Sequence, residues 1–322
     1  MRAIRQYEFG PAENLRFEQV PDPTPGQGQV VVQVEAAGVH LIDTTVRRGG
    51  ATPFPLPALP MTPGREVAGR VVATGPGADP GWLGRRVVVH LGLTSGGYAE
   101  RAVAAAASLH PIPDHLSART AVAMIGTGRT AVSVLDRAAP TSADTVLVTA
   151  AAGGLGTLFV QAAQRAGAHV VGVAGGPAKV DQVLRNGADT ALDYTDPGWP
   201  EKVRAELGER RVTLVIDGVG GQAGRAALEL LAPGGRFVIC GWSAGAATEI
   251  TTADLYTRGI TASSALGPGM VRPLRDLEEQ ALREAAEGWL TPAVTGFPLA
   301  EAAAAHRALE SRATVGKVVL LP

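Results

Sequence analysis

The sequence predicts an α/β chain of two domains: a β-rich first part, then a parallel sheet wound with helices, then a tail that leaves that rhythm. Three observations predict this. The length of 322 residues exceeds one ordinary core and suits two domains. Val-rich runs closed by Gly and Pro fill residues 1–120. From about residue 144 onward, apolar runs alternate with Ala-rich helical stretches, the pattern of βαβ units.

In the first part, "GQVVVQVEAAGV", "AGRVVATG" and "GRRVVVHLG" read as strands. The intervening "GGATPFPLPALPMTPG" is too rich in proline for a helix or a central strand and reads as a loop. In the second part "DTVLVTA", "AHVVGVA", "DTALD", "VTLVIDG", "GRFVIC" and "ITASSAL" read as successive strands, with helices expected over 154–166, 177–186, 198–207 and 221–231. The tail "PLAEAAAAHRALESRATVGKVVLLP" reads as one helix and one short strand that returns to the first domain.

Composition excludes several function classes. Hydrophobic residues make up 46% and charged residues 18% of the chain, and 29 basic residues face 30 acidic ones. There is no basic surplus for nucleic acid. No apolar run reaches the ~20 residues that span a bilayer, and "MRAIRQYEFG" lacks a signal-peptide core. A cytoplasmic protein is expected. The single cysteine, Cys240, rules out an internal disulfide and any zinc site of several thiolates.

The strongest local motif is "AAGGLG", residues 151–156, between an apolar strand and a helix. In the dinucleotide fingerprint the first glycine makes the turn, the second admits the pyrophosphate, and the third lets helix and strand pack. Ala151 takes the first place here, Gly153 the second and Gly156 the third, with Ala152, Gly154 and Leu155 between them. The helix start that follows offers free N–H groups to a phosphate. The second strand ends in Ala174, Gly175 and Gly176, where an NAD enzyme usually carries Asp or Glu for the ribose hydroxyl. Lys179 follows, so the stretch favours NADPH over NADH.

A series of motifs resembles the zinc-free quinone oxidoreductases of the medium-chain dehydrogenase/reductase superfamily. "GVHLIDT" (38–44), "PGREVAG" (63–69), "GGYAE" (96–100), "GRTA" (128–131), "AAGGLG", "GAD" followed by "LDY" (187–194), "ESRAT" (310–314) and "GKVVLLP" occur in the order and spacing of that family. The resemblance implies a GroES-like β-barrel catalytic domain over 1–121, completed by 286–322, and a Rossmann NADPH-binding domain over 122–285, with the cofactor in the cleft between them. It places Lys179, Tyr194 and Arg312 around the adenosine 2′-phosphate and Thr130 near the nicotinamide. It also brings Val219, Cys240, Gly241, Trp242, Ser243 and Leu266 to the cofactor-lining stretches. Family members pair through an edge strand, so a homodimer through "ITASSAL" (260–266) is expected.

Zinc-dependent relatives carry Cys where this chain has His40 and His where it has Arg65, and insert a four-cysteine lobe where this chain has only "HLGLTS". His40 alone does not make a site, and Arg65 would repel a metal, so no metal is expected. The family usually has Asn at the place of His40 and often Tyr at the place of Thr45. His40 is therefore a candidate general acid, Asp43 is expected to fix the loop, and Thr45 is a poor acid. His90, His110, His115, His169 and His306 read as structural, and Cys240 as a small buried hydrophobe. These residues point to NADPH-dependent reduction of a small-molecule quinone. Reduction of an enone or enoyl C=C bond is the nearest alternative, and an NADPH-binding protein without catalysis is the other.

Overall fold

The computed structural model describes the backbone of residues 1–322 and every side chain but that of residue 268. The chain divides into two compact units, residues 1–127 with 292–322, and residues 128–291. These divisions fall later than residues 121 and 285 because the elements run on. The helix that follows Ser117 packs on the sheet of the first unit, and Gln161 holds Thr291 to the second through hydrogen bonds of 2.8 and 2.9 Å.

The first unit opens with the antiparallel pair β1 (Arg2–Arg5) and β2 (Arg16–Gln19). The long strand β3 (Gln29–Val39) leads into helix α1 (Leu41–Arg48), which the sequence did not announce. Strands β4 (Glu66–Thr74), β5 (Arg86–His90), β6 (Arg101–Ala105) and β7 (His110–Pro111) follow, then helix α2 (Ala118–Ala123). Residues 49–64 form the expected irregular proline-rich loop, tied down where Met61 bridges Gln6.

The second unit alternates strand and helix: α3 (Arg129–Ala138), β8 (Thr145–Val148), α4 (Gly154–Arg165), β9 (His169–Ala174), α5 (Pro177–Arg185), β10 (Thr190–Asp193), α6 (Trp199–Leu207), β11 (Val212–Asp217), α7 (Gly221–Leu230), β12 (Leu231–Ile239), α8 (Thr252–Arg258), β13 (Thr261–Ser264) and α9 (Leu274–Ala286). All the pairings are parallel, in the order β10-β9-β8-β11-β12-β13. Helices cover both faces, which is why β8 and β9 read as unbroken apolar runs and are buried along their length. The order reverses between β8 and β11, and ligands of such sheets bind beyond the carboxyl ends of the strands at that point. Strand β13 is an edge.

The tail contains one strand more than expected: β14 (Val294–Pro298), α10 (Ala302–Glu310) and β15 (Lys317–Leu321). Strand β15 pairs with β14 on one side and antiparallel with the end of β3 on the other, so the tail does rejoin the first unit. The resulting seven-stranded sheet encloses a core that includes Val32, Val67, Val89, Tyr98 and Leu320.

Candidate active site

In the second unit the strand ends converge on the glycine turn. The left-handed backbone of that turn falls on Ala150, with φ of 49°, one residue before the expected Ala151. Ala150 accepts the N–H of Gly153 at 2.8 Å, and Gly153 caps α4. A Cβ on Gly156 would lie 2.2 Å from the Ala150 oxygen and 2.7 Å from the Ala151 Cα, so only glycine lets α4 lie this close to β8. Leu155 and Gly154 belong to the first turn of α4, whose N–H groups have no earlier carbonyl within the helix to bond, and Ala152 is buried beneath the turn.

Asp217 braces this end of the sheet. Fully buried, it accepts the Thr149 hydroxyl at 2.6 Å, the Thr248 hydroxyl at 2.8 Å and the N–H groups of Val219 and Gly220. Gly218 donates to the Thr149 oxygen at 3.0 Å, which locks the ends of β8 and β11 together. Ser243 and Ala244 donate backbone N–H groups to Gly218 and Val219, which sets Gly241, Trp242 and Ser243 beside Val219. Trp242 is exposed. Cys240 is buried, and its thiol donates to the Asp217 carbonyl at 3.2 Å. Burial first, then the Asp217 charge, pushes that thiol up to about 12, so it stays protonated and is no nucleophile. Thr130 stands in the first turn of α3, and Leu266 lies just beyond β13, its N–H bonded to the Ser264 hydroxyl.

At the end of β9 the Tyr194 ring lies beside Gly175. Lys179 is half-buried in the first turn of α5, its N–H bonded to the Gly176 carbonyl. The expectation of no carboxylate here needs correction. Asp193, from the neighbouring β10, brings its carboxylate to the backbone of Gly176. Burial acts to raise its pKa, but the bonds from Gly176 and Thr195 outweigh it and hold the group below the usual range. Its Oδ1 is occupied by the Thr195 N–H at 2.9 Å and hydroxyl at 2.7 Å. Arg312 belongs to the first unit, exposed after α10, with φ of 59°.

The first unit carries a cluster of buried charges. His40 caps α1 at the end of β3, Glu66 opens β4 and Lys317 opens β15. The registers bring them together: Val39 opposes Val318, so the next pair along is His40 and Lys317, while Ala37 opposes Val67, which sets Gly38 against Glu66. His40 Nε2 lies 2.6 Å from Glu66 Oε1 and 2.8 Å from Lys317 Nζ, and Lys317 Nζ lies 2.9 Å from Glu66 Oε2. Glu66 is inaccessible and Lys317 nearly so. Burial works against the Glu66 charge, yet His40 and Lys317 hold its carboxyl well below the ordinary value. Lys317 is pushed down by burial and partly restored by Glu66.

Asp43 bonds to its surroundings through both carboxylate oxygens. Its Oδ2 accepts the His40 N–H at 2.8 Å and lies 3.3 Å from the Tyr98 hydroxyl, while Oδ1 is 3.3 Å from the Arg65 guanidinium. Tyr98 also meets His306 Nε2 at 3.2 Å. His306 is fully buried, and desolvation lowers it to about 4, so it is neutral near pH 7. Beside Asp43 and Arg65 lies a small cavity of about 40 Å³ walled by Phe54, Pro55, Pro57, Met61 and Leu93. The Arg65 guanidinium sits 5.2 Å from the Phe54 ring centre, and its buried Nε has no hydrogen-bond partner. Thr45 is mid-helix and does not line the cavity.

Known proteins match along this whole layout. Residues 26–114 match the alcohol dehydrogenase GroES-like domain, and residues 154–287 match the family described as zinc-binding dehydrogenase. The quinone oxidoreductase of Sus scrofa is 34% identical over 100% of this chain and 98% of that protein. The chain belongs to the quinone oxidoreductase-like family of the medium-chain dehydrogenase/reductase superfamily. Within that family, a 2-haloacrylate reductase of Burkholderia sp is 32% identical over 100% of this chain and 99% of that protein. The structure of Escherichia coli quinone oxidoreductase complexed with NADPH superposes with a TM-score of 0.87 at 28% identity, covering all of both chains. The first unit is thus the GroES-like domain and the second the Rossmann domain. Among the described residues, no three His, Cys, Asp or Glu side chains group to hold a metal, and no helix is long and apolar enough to cross a membrane.

Sequence reasoning missed Glu66, Lys317, Tyr98 and Asp217. Glu66 stands inside "PGREVAG", next to Arg65. The available signal was a charge in the middle of apolar strand residues, in "GREVAG" and again in "GKVVLLP".

Proposed function

We propose that the protein is an NADPH-dependent oxidoreductase that reduces a quinone or a similarly conjugated carbonyl without zinc. The acceptor half of this reading is carried by one observation: a small, largely apolar cavity, lined also by Asp43 and Ser95, at which the cation Arg65 has an unpartnered Nε. Proline and Phe54 surfaces suit an apolar acceptor, and a guanidinium donates to an oxygen that gains negative charge during reduction. The cofactor half rests on Gly156, Gly153 and the α4 N-terminus, which leave backbone N–H groups open to a pyrophosphate. Beyond β9 only Gly175 and Gly176 stand where an NAD enzyme has a carboxylate, and the Asp193 carboxylate is already bonded to Gly176 and Thr195. Lys179, Tyr194 and Arg312 are taken to surround the 2′-phosphate, with Thr130, Val219, Cys240, Gly241, Trp242, Ser243 and Leu266 along the rest of the cofactor.

When bound, reduced nicotinamide supplies a hydride. The chain's part is to place the acceptor and to stabilise the oxygen that becomes anionic, which Arg65 does without a metal. A divalent ion at His40 would face the Lys317 ammonium, 2.8 Å from Nε2. Quinone oxygens then take protons from water. Reduction of a C=C bond is the second reading. It is favoured by a histidine at a position where relatives usually have Asn, since carbon needs a proton donor. The same reading pairs two copies through the open edge of β13, and light scattering at the monomer mass of 33.0 kDa would remove that pairing.

The test is turnover of NADPH with a panel of quinones and enones in the presence of a chelator. Quinone reduction that survives chelation is the expected result. Enone reduction alone would move the function to C=C bonds. Cofactor binding with no turnover would leave a binding protein.

A further inference from the structure

We propose that Tyr98 is a positioning residue for the acceptor site: acting through Asp43, it holds the Arg65 guanidinium in place at the cavity. This rests on the reductase reading given above and deepens it, by naming what orients the group that stabilises the reduced oxygen.

Four polar side chains from separate stretches of the first unit form one line. Arg65 Nη2 lies 3.3 Å from Asp43 Oδ1, the Tyr98 hydroxyl donates to Asp43 Oδ2 at 3.3 Å, and His306 Nε2 stands 3.2 Å from that hydroxyl. Arg65 and Asp43 line the cavity, whereas Tyr98 and His306 are fully buried. Room for the Tyr98 ring is made at Gly64, which precedes Arg65 and itself lines the cavity. A Cβ there would sit 2.3 Å from Tyr98 Cδ1, and its φ of 93° suits glycine. The Tyr98 N–H donates to the Pro63 carbonyl at 2.8 Å, and the Tyr98 ring meets the His306 ring edge-on with centroids 5.8 Å apart. Phenylalanine would fill this space with no buried hydroxyl to satisfy, so packing alone does not explain the hydroxyl.

The hydroxyl has one proton to give. Burial first, then the Asp43 charge, raises its pKa well above the ordinary tyrosine value, so it remains a donor. That proton and the His40 N–H, at 2.8 Å, both go to Oδ2, and Oδ1 is left for Arg65. Two donors on one oxygen fix the orientation of the carboxylate and draw its charge away from the guanidinium. The guanidinium is then pinned through Nη2, sits 5.2 Å from the Phe54 ring centre and keeps a buried Nε with no partner. A donor fixed before the reaction stabilises a developing oxyanion without having to reorganise. Without the Tyr98 bond only the His40 N–H holds Oδ2. The terminal torsion of an aspartate is soft, so the carboxylate turns and the guanidinium turns with it.

The experiment is a double-mutant cycle on quinone reduction, read as kcat and KM. Tyr98→Phe keeps the ring and removes the hydroxyl. It should lower kcat by about tenfold, the worth of one hydrogen bond to a charged group, and leave KM for the quinone and for NADPH little changed. In an Arg65→Gln background the same substitution should leave kcat where it was. A merely structural role would cost the same factor in both backgrounds, so equal factors overturn the proposal, as does an unchanged kcat for Tyr98→Phe alone. If Tyr98→Phe does not fold, Asp43→Asn enters the same cycle, since it cuts the line one bond nearer to Arg65, and equal losses in both backgrounds again overturn the proposal. Nitrogen-15 NMR of the Arg65 side chain gives a readout without turnover: rotation of the guanidinium should be slow in the parent and faster in Tyr98→Phe, and identical rates overturn the positioning. If the parent reduces no acceptor, the reductase reading falls and the rotation rates decide the positioning alone.

Discussion

The glycine turn of the second unit and the charge cluster of the first meet opposite demands with opposite means. At the turn the backbone does the work. Ala150, Gly153 and Gly156 fall within seven consecutive residues, and the shape they form needs no side chain beyond the Cβ they mostly lack. At the cluster the side chains do the work, and they come from positions 40, 66 and 317. A backbone site is local, electrically neutral and insensitive to pH. A side-chain site is assembled by strand register, is charged and depends on protonation.

The largest expected effect attacks the backbone site. Gly156→Val forces atoms against the Ala150 carbonyl at a separation that no Cβ tolerates. Overpacking of this kind costs roughly 1–3 kcal/mol, and 1.4 kcal/mol is about tenfold in affinity, so NADPH binding should fall by up to ~100-fold. Fluorescence titration checks it, and wild-type affinity would remove the turn from the cofactor site.

The side-chain site should respond to His40→Ala. Hydride transfer to an enone should slow by about 100-fold, in line with the loss of a general acid, and transfer to a quinone by less. NADPH affinity should hold. Equal, small losses with both acceptors would make His40 a packing residue.

Lys179→Ala lies between the two kinds of site, since a side chain there supplements a backbone cradle. A charged hydrogen bond contributes roughly 1.5–3 kcal/mol, so the KM for NADPH should rise by about 10- to 100-fold while that for NADH barely changes. Parallel losses for both cofactors would sink the 2′-phosphate assignment.

The remaining effect is on stability rather than on the reaction, and it belongs to the first unit. His306 is held neutral in the first unit, lowered from 6.5 to about 4 by burial. Its depressed value means that the unfolded chain binds the proton more readily, so the contribution is complete above pH 6.5 and is lost as pH falls toward 4. The span corresponds to about 3 kcal/mol. Denaturation at pH 7 and pH 4.5 should show a steeper loss for the parent than for His306→Phe. Identical losses would refute the assignment.

By itself the sequence determined the six strands of the second unit and four of its seven helices, but not α3, α8 or α9. Its inner strands β8 and β9 are buried along their length and so read as unbroken apolar runs. Helices α4 to α7 have glycine or proline at their starts, and the turn motif lies within a few residues. These are local constraints, and a local pattern carries them. The sequence also determined that "GKVVLLP" rejoins the first unit, through its likeness to known chains. Only the tertiary structure decided that Lys317 stands opposite His40, that Gly38 and Gly126 clear the space for Glu66, and that Asp193 approaches Gly176 from the next strand. Each of these depends on which strand pairs with which and in what register. Pairing energy comes from backbone hydrogen bonds common to all residues, so the residue types at 40, 66 and 317 do not declare one another until the sheet brings them within 3 Å.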